Sequence, residues 1–306
     1  MWKYDFEVPE NKKIRLIVHT DCKNEADDQY ALAHHLMTPR FDIRGIVAGH
    51  FWKNPQEYGE LGTAKASYDE VLKVMDLMGL ANQYPVLMGA QRGLEDETTP
   101  IPSDGAKFIV EEAMKEDTPL YIACQGAVTD VASALLLKPE IAERIVIIWI
   151  GGASYPDGGF EFNLMMDINA ANVIFSSKAE LWQVPMDVYK QFGVSLAELQ
   201  LKVKPCGEIG KYLFEQLVQF NKKAATTFES VWPHGELWGL GDQATIAVLM
   251  EELEKVSYDM IKAPHIDKDM HYIHGQENRE IRVYRTAETR LTLEDFFAKL
   301  MINFGA

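Results

Sequence analysis

Cysteine is scarce in this sequence: Cys22, Cys124 and Cys206 are the only three in 306 residues. At that number and spacing neither a disulfide framework nor a CxxC metal site can be built. Long apolar runs are missing as well. No stretch approaches the roughly 18–20 residues that a membrane span needs. The N-terminal segment MWKYDFEVPENKK lacks the apolar centre of a secretory leader, so a cytoplasmic protein is expected. Positive charge is also in deficit, with 30 Lys and Arg against 46 Asp and Glu and a formal net charge of -16. So acidic a surface repels phosphate backbones and anionic lipid, which argues against nucleic-acid and membrane partners. It leaves room for a small neutral ligand, and for a cation gathered by a local group of carboxylates. Low-complexity tracts and short-period repeats are absent, which excludes solenoid and linker-rich architectures.

What is present is a globular composition, 47% apolar and 25% charged, enough for a sizeable core. One domain covering residues 1–306 is the simplest organisation. Short, mostly apolar runs at 14–19, 42–48, 84–88, 119–123, 145–150 and 181–185 read as strands. Helical patterns at 28–37, 61–78, 106–115, 131–137 and 168–176 follow them in alternation. Further helices are expected at 211–227 and 242–255. Strands buried on both faces and joined by helices define an α/β fold with a Rossmann-like, mostly parallel central sheet. The tail departs from this alternation: residues 271–273 and 281–284 read as a small antiparallel pair, followed by a last helix at 293–302. No GxGxxG opens the first helix, so a dinucleotide is not expected.

In such sheets ligands sit beyond the carboxyl ends of the strands. The first strand ends in HTDCKNEADDQYAL (residues 19–32), which packs Asp21, Glu25, Asp27 and Asp28 into one loop. Asp27 and Asp28 stand at a helix start, where carboxylates also serve as caps. Capping explains less well why four carboxylates crowd eight residues, since they repel one another unless a cation or strong donors intervene. With no His/Cys spacing for zinc, a hard divalent ion with oxygen ligands fits this loop, and it would need further ligands from elsewhere.

This loop resembles the opening of the inosine–uridine-preferring nucleoside hydrolases, two residues longer than their DxDPGxDD. GAVTDVASAL (126–135) is similar to that family's GPLTNIALAL. WIGGA followed by EFNLMMDINAA (161–171) is similar to MGGA…EFNxxxDPEAA, and GLGDQATIAVL (239–249) to the helix that carries a distant metal ligand. The resemblance implies Ca²⁺-dependent hydrolysis of the N-glycosidic bond of ribonucleosides. It implies Asp21 as calcium ligand and general base, Asp28 and Asp242 as further ligands, and the backbone carbonyl of Thr129 completing the shell. Asp27, Glu161 and Asn163 match residues that hold the ribose hydroxyls, with Asn24 and His50 in loops that reach the sugar. A homodimer or homotetramer is implied too. The chemistry agrees: an oxocarbenium-like transition state calls for an activated water on one face and carboxylates near the developing charge.

Two positions depart from the family pattern. His19 replaces an aspartate before the TD pair, and reads as an inward-facing strand-end histidine bonded to backbone. Gly241 stands where many purine-using members carry the histidine that protonates the departing base. His234, flanked by Trp232 and Trp238, is a substitute acid with a stacking surface, or else a loop histidine beside two packing residues. The alternative to an enzyme is a ribose- or nucleoside-binding protein that kept the metal cradle and lost leaving-group activation. A metal-dependent phosphohydrolase is disfavoured, because the EFN segment has no role in one. His34, His35, Met165 and Met166 read as structural.

Overall fold

Residues 2–51, 58, 62–227, 233–251, 257–275 and 279–305 are described by the structure, a computed structural model. The strands are β1 (Ile14–Thr20), β2 (Phe41–Ala48), β3 (Val86–Met88), β4 (Leu120–Cys124), β5 (Ile145–Ile150), β6 (Glu180–Val184), β7 (Gly193–Ser195), β8 (Leu237–Gly239), β9 (Tyr258–Lys262), β10 (His265–Ile266), β11 (Tyr272–Ile273) and β12 (Glu280–Tyr284). Eight of them form one sheet in the order β3-β2-β1-β4-β5-β6-β12-β9. Every neighbouring pair is parallel except β12 with β9.

Alternation along the central strands explains the two-sided core. Leu16 and Val18 of β1 face one hydrophobic cluster, and Ile17 faces the other; Ile148 and Trp149 of β5 divide in the same way. Helices α1 (Asp28–Met37), α2 (Gly62–Leu77), α3 (Asp104–Lys115), α4 (Thr129–Leu137), α5 (Phe162–Met166), α6 (Ile168–Ser176), α7 (Met186–Tyr189), α8 (Leu196–Lys202), α9 (Gly207–Thr227), α10 (Gln243–Met250) and α11 (Thr289–Phe304) cover the sheet. Sequence-local caps start several of them: Ser103 accepts from the Ala106 N–H, Asp167 from Ala170, and Ser195 from Glu198. Among the described residues no helix is long and apolar enough to cross a membrane.

The expected tail pairing is corrected. Residues 272–273 pair antiparallel with β10, and β12 joins the main sheet, parallel to β6 and antiparallel to β9. The turn between β10 and β11 is held by Asp267, whose carboxylate accepts the Asp269 and His271 N–H groups. That short closure folds the segment onto itself. β12 gains more from the sheet, because Ile281 and Val283 become buried and the Arg282 guanidinium lies 4.1 Å from the Trp182 ring and 4.2 Å from that of Tyr258. The expected helix at 242–255 is seen over Gln243–Met250, and residues 252–255 of it lie outside the described residues.

Asp167 ties the fold to the strand ends. Its carboxylate caps α6 through the Ala170 N–H (2.9 Å) and accepts from the Leu94 N–H (2.9 Å) and the Thr129 hydroxyl (2.6 Å). Asp167→Ala leaves buried donors without partners. It is expected to cost about 3 kcal/mol, read as a lowered denaturation midpoint at unchanged slope.

Candidate active site

β1 delivers the acidic loop to the carboxyl edge of the sheet. Thr20, the last residue of β1, donates its hydroxyl to Asp28 Oδ1 at 2.5 Å, and Asp28 opens α1. Asp27 occupies the N-cap position of α1, yet its side chain makes no capping hydrogen bond, so capping does not account for it. Its Oδ2 instead faces the main-chain N–H of Asp242, 3.4 Å away, at the start of α10. Carboxylate oxygens of Asp27, Asp28 and Asp242 lie within 4.8 Å of one another. Asp28 is in hydrogen-bonding range of both Asp242 and Asp21. The Asn24 carboxamide donates to Asp21 Oδ2 at 3.0 Å.

All four carboxylates are buried. Burial, followed by the charge of neighbouring carboxylates, pushes Asp21, Asp27 and Asp242 well above the usual carboxylate range. Burial also raises Asp28, to about 6, against the hydrogen bond from Thr20. Among the described residues no Lys or Arg makes an ion pair with any of the four. Buried carboxylates this close cannot all ionise without a cation among them. The donor set is oxygen alone, which fits a hard divalent ion.

Glycine makes room for the cluster. A Cβ at Gly126 would stand 2.6 Å from Asp21 Cγ and 2.9 Å from both carboxylate oxygens. Gly126→Ala is therefore expected to displace Asp21 and weaken divalent-ion affinity by at least tenfold, measured by calorimetric titration, with little change in far-UV circular dichroism.

Beside the cluster lies a cavity of about 430 Å³, lined by Asp21, Asn24, Asp27, Asp28 and Asp242 and, across from the acidic loop, by Glu161 and Asn163. Glu161 opens α5, and Asn163 donates to the Ile150 carbonyl at 2.9 Å. His234 and Trp238 also line the cavity. His234 is exposed, and Trp238 is buried edge-on against Phe220, with ring centroids 5.4 Å apart. Trp232 lies outside the described residues.

The side chains of two expected residues stand behind this wall rather than on it. The Thr129 hydroxyl gives its hydrogen to Asp167, so it accepts from His50 Nε2 at 2.8 Å. His50 thus meets the site through Thr129, and burial lowers its pKa. His19 differs from expectation as well: its partner is not backbone but the buried Asp130 carboxylate, 3.0 Å away. Burial alone would raise the Asp130 pKa. Hydrogen bonds with His19, with Ser103 and from the Ala90 N–H hold it below the usual carboxylate range.

Sequence reasoning missed Tyr189 on the cavity wall, and gave no role to Glu25 of the acidic loop or to Gln125, both of which line it. Gln125 is 1% exposed, and its Oε1 has no partner among the described residues. It immediately follows β4, where the strand-end rule points. Tyr189 lies after β6, and the same rule extended by one strand reaches it.

A pyrimidine-specific ribonucleoside hydrolase of Escherichia coli is 29% identical over 131 residues, 40% of this chain and 40% of that protein. A putative enzyme of the same description from Shigella boydii is equally similar, with 52% of its length covered. The chain thus spans about half the length of these curated relatives or less. A purine-preferring ribonucleoside hydrolase from Gardnerella vaginalis shares the fold with a TM-score of 0.70 at 18% identity, covering 94% of this chain and 98% of that one. A plant nucleoside hydrolase gives a TM-score of 0.71 at 16% identity, with the same coverage. The family model described as inosine-uridine preferring nucleoside hydrolase matches residues 16–293, from within β1 into α11, and the chain belongs to that family.

Proposed function

We propose that this protein, acting as one domain over residues 1–306, hydrolyses the N-glycosidic bond of ribonucleosides to free base and ribose with the help of Ca²⁺. The observation that carries the proposal is the convergence of Asp21, Asp27, Asp28 and Asp242 on one buried cavity wall. Asp21, Asp28, Asp242 and the Thr129 carbonyl would hold the ion. A divalent cation in this cradle keeps the carboxylates ionised and makes nearby water more acidic.

The side chains do the rest. Asp21 takes a proton from the attacking water, in the orientation fixed by Asn24. That water forms the new C–O bond to the anomeric carbon while the bond to the base breaks. Asp27 and Asn163 face the cavity and hold the sugar hydroxyls, with Glu161 beside them. The ionised carboxylates sit near the positive charge that develops on the ribosyl ring. The base end is less well equipped. Gly241 offers no side-chain donor, so the base leaves with help from His234 at the rim or from solvent.

Incubating the protein and Ca²⁺ with a panel of purine and pyrimidine nucleosides, and following free base by chromatography, tests this. Release of base from at least one nucleoside is the expected result. Nucleosides that bind and are recovered intact would instead identify a binding protein.

A further inference from the structure

Glu161 faces the cavity, yet its hydrogen-bonding capacity is already used. Oε2 accepts the Gly152 and Leu164 N–H groups, each at 2.8 Å. Oε1 accepts the Asn163 N–H at 3.1 Å and the Tyr189 hydroxyl at 2.6 Å. A carboxylate offers about four acceptor positions, and all are taken. Three of the donors are backbone groups that hold α5 and the loop after β5. The fourth, Tyr189, is a side chain on the cavity wall. A ligand hydroxyl can reach Glu161 only by displacing the phenol.

The same ring governs position 241. A Cβ there would lie 3.0 Å from Tyr189 Cδ2 and 3.6 Å from Asp27 Oδ2. A larger side chain at 241 and the Tyr189 ring in this rotamer compete for one volume. Nor does the phenol replace a missing acid. Its hydrogen is committed to Glu161, and a phenolate beside that carboxylate is strongly disfavoured.

We propose that Tyr189 is a specificity-determining residue: its hydroxyl stands in for a ligand hydroxyl on Glu161, and its ring keeps position 241 free of a side chain. The first half rests on the proposed ribosyl substrate; the second rests on packing alone. Tyr189→Phe opens one acceptor position on an ionised group, which a sugar hydroxyl can then fill.

The test is calorimetric affinity, with Ca²⁺ present, for a ribonucleoside and its 2′-, 3′- and 5′-deoxy analogues. In Tyr189→Phe the penalty for deleting one of the three hydroxyls is expected to grow about tenfold, as for one hydrogen bond to an ionised acceptor, and the other two penalties stay as in the wild type. Equal penalties in both proteins would overturn the proposal. A second measurement needs no ligand. Gly241→Ala is expected to lower the melting temperature, and Tyr189→Leu to relieve most of that loss in the double variant. Additive losses would overturn the steric half. Because these readouts are affinity and melting, a protein that binds as expected but releases no base contradicts the hydrolase reading and leaves Tyr189 in place. Failure to bind any nucleoside contradicts both.

Discussion

Asp21→Ala is expected to slow release of free base by a factor on the order of 10²–10⁴, the span typical of losing a positioned general base. Asp21 is oriented directly by a neighbour, through the 3.0 Å hydrogen bond from Asn24. It also touches Asp28, so the substitution removes a base and an ion ligand together. Folding should survive, since a buried carboxylate repelled by Asp28 adds nothing to the stability of the ion-free chain. Asp21→Asn separates the two roles: it keeps an oxygen for the ion and loses the proton acceptor. Initial rates at saturating nucleoside and Ca²⁺, beside thermal melts of each variant, provide the check. A variant that melts as the wild type and turns over at the wild-type rate would remove Asp21 from the mechanism.

The second large effect is thermal. Chelation followed by return of Ca²⁺ should move the melting temperature, because the ion binds the folded carboxylate cradle and has no comparable site in the unfolded chain. At a free ion concentration one hundred times Kd the gain is about 2.7 kcal/mol. For a chain of this size that corresponds to roughly 4 °C. Asp28 is the member of the cluster in contact with both Asp21 and Asp242, so Asp28→Ala is expected to abolish the response. A response that survives Asp28→Ala would place the ion elsewhere in the molecule. Differential scanning calorimetry of both proteins, with ion and with chelator, reads both outcomes.

Much of the fold was legible because its strands are buried on both faces. IVIIWI of β5 has no polar side to confuse with a helix, and every residue of it is buried. β9 was not legible for the opposite reason. YDMIK lies at the sheet edge with no fully buried residue, and neither its composition nor its period distinguishes it from a loop. Strand pairing in the tail was misread because sequence shows that two segments are extended, not which edge each will satisfy. The 265–273 hairpin closes locally, and β12 finds β6 across a long span of chain.

The site divides along the same line. The acidic loop announces itself as charge density within a few residues, and Asp242 comes to it by resemblance. Tyr189 is a single polar residue in unremarkable surroundings. Its place on the cavity wall arises only when the segment after β6 delivers it there. His50 shows the converse. Its place after β2 satisfies the strand-end rule, but its ring is spent on Thr129. The steric tie between Tyr189 and Gly241 exists only in three dimensions.

The role of the ion is tested most directly by the initial rate of base release from one accepted nucleoside, followed across free Ca²⁺ from full chelation to saturation. The expected curve starts near zero and rises hyperbolically to a plateau. It should track the occupancy of a single ion per chain. A rate that stays flat from chelation to saturation would contradict the claim that an ion held by Asp21, Asp28 and Asp242 prepares the water for attack.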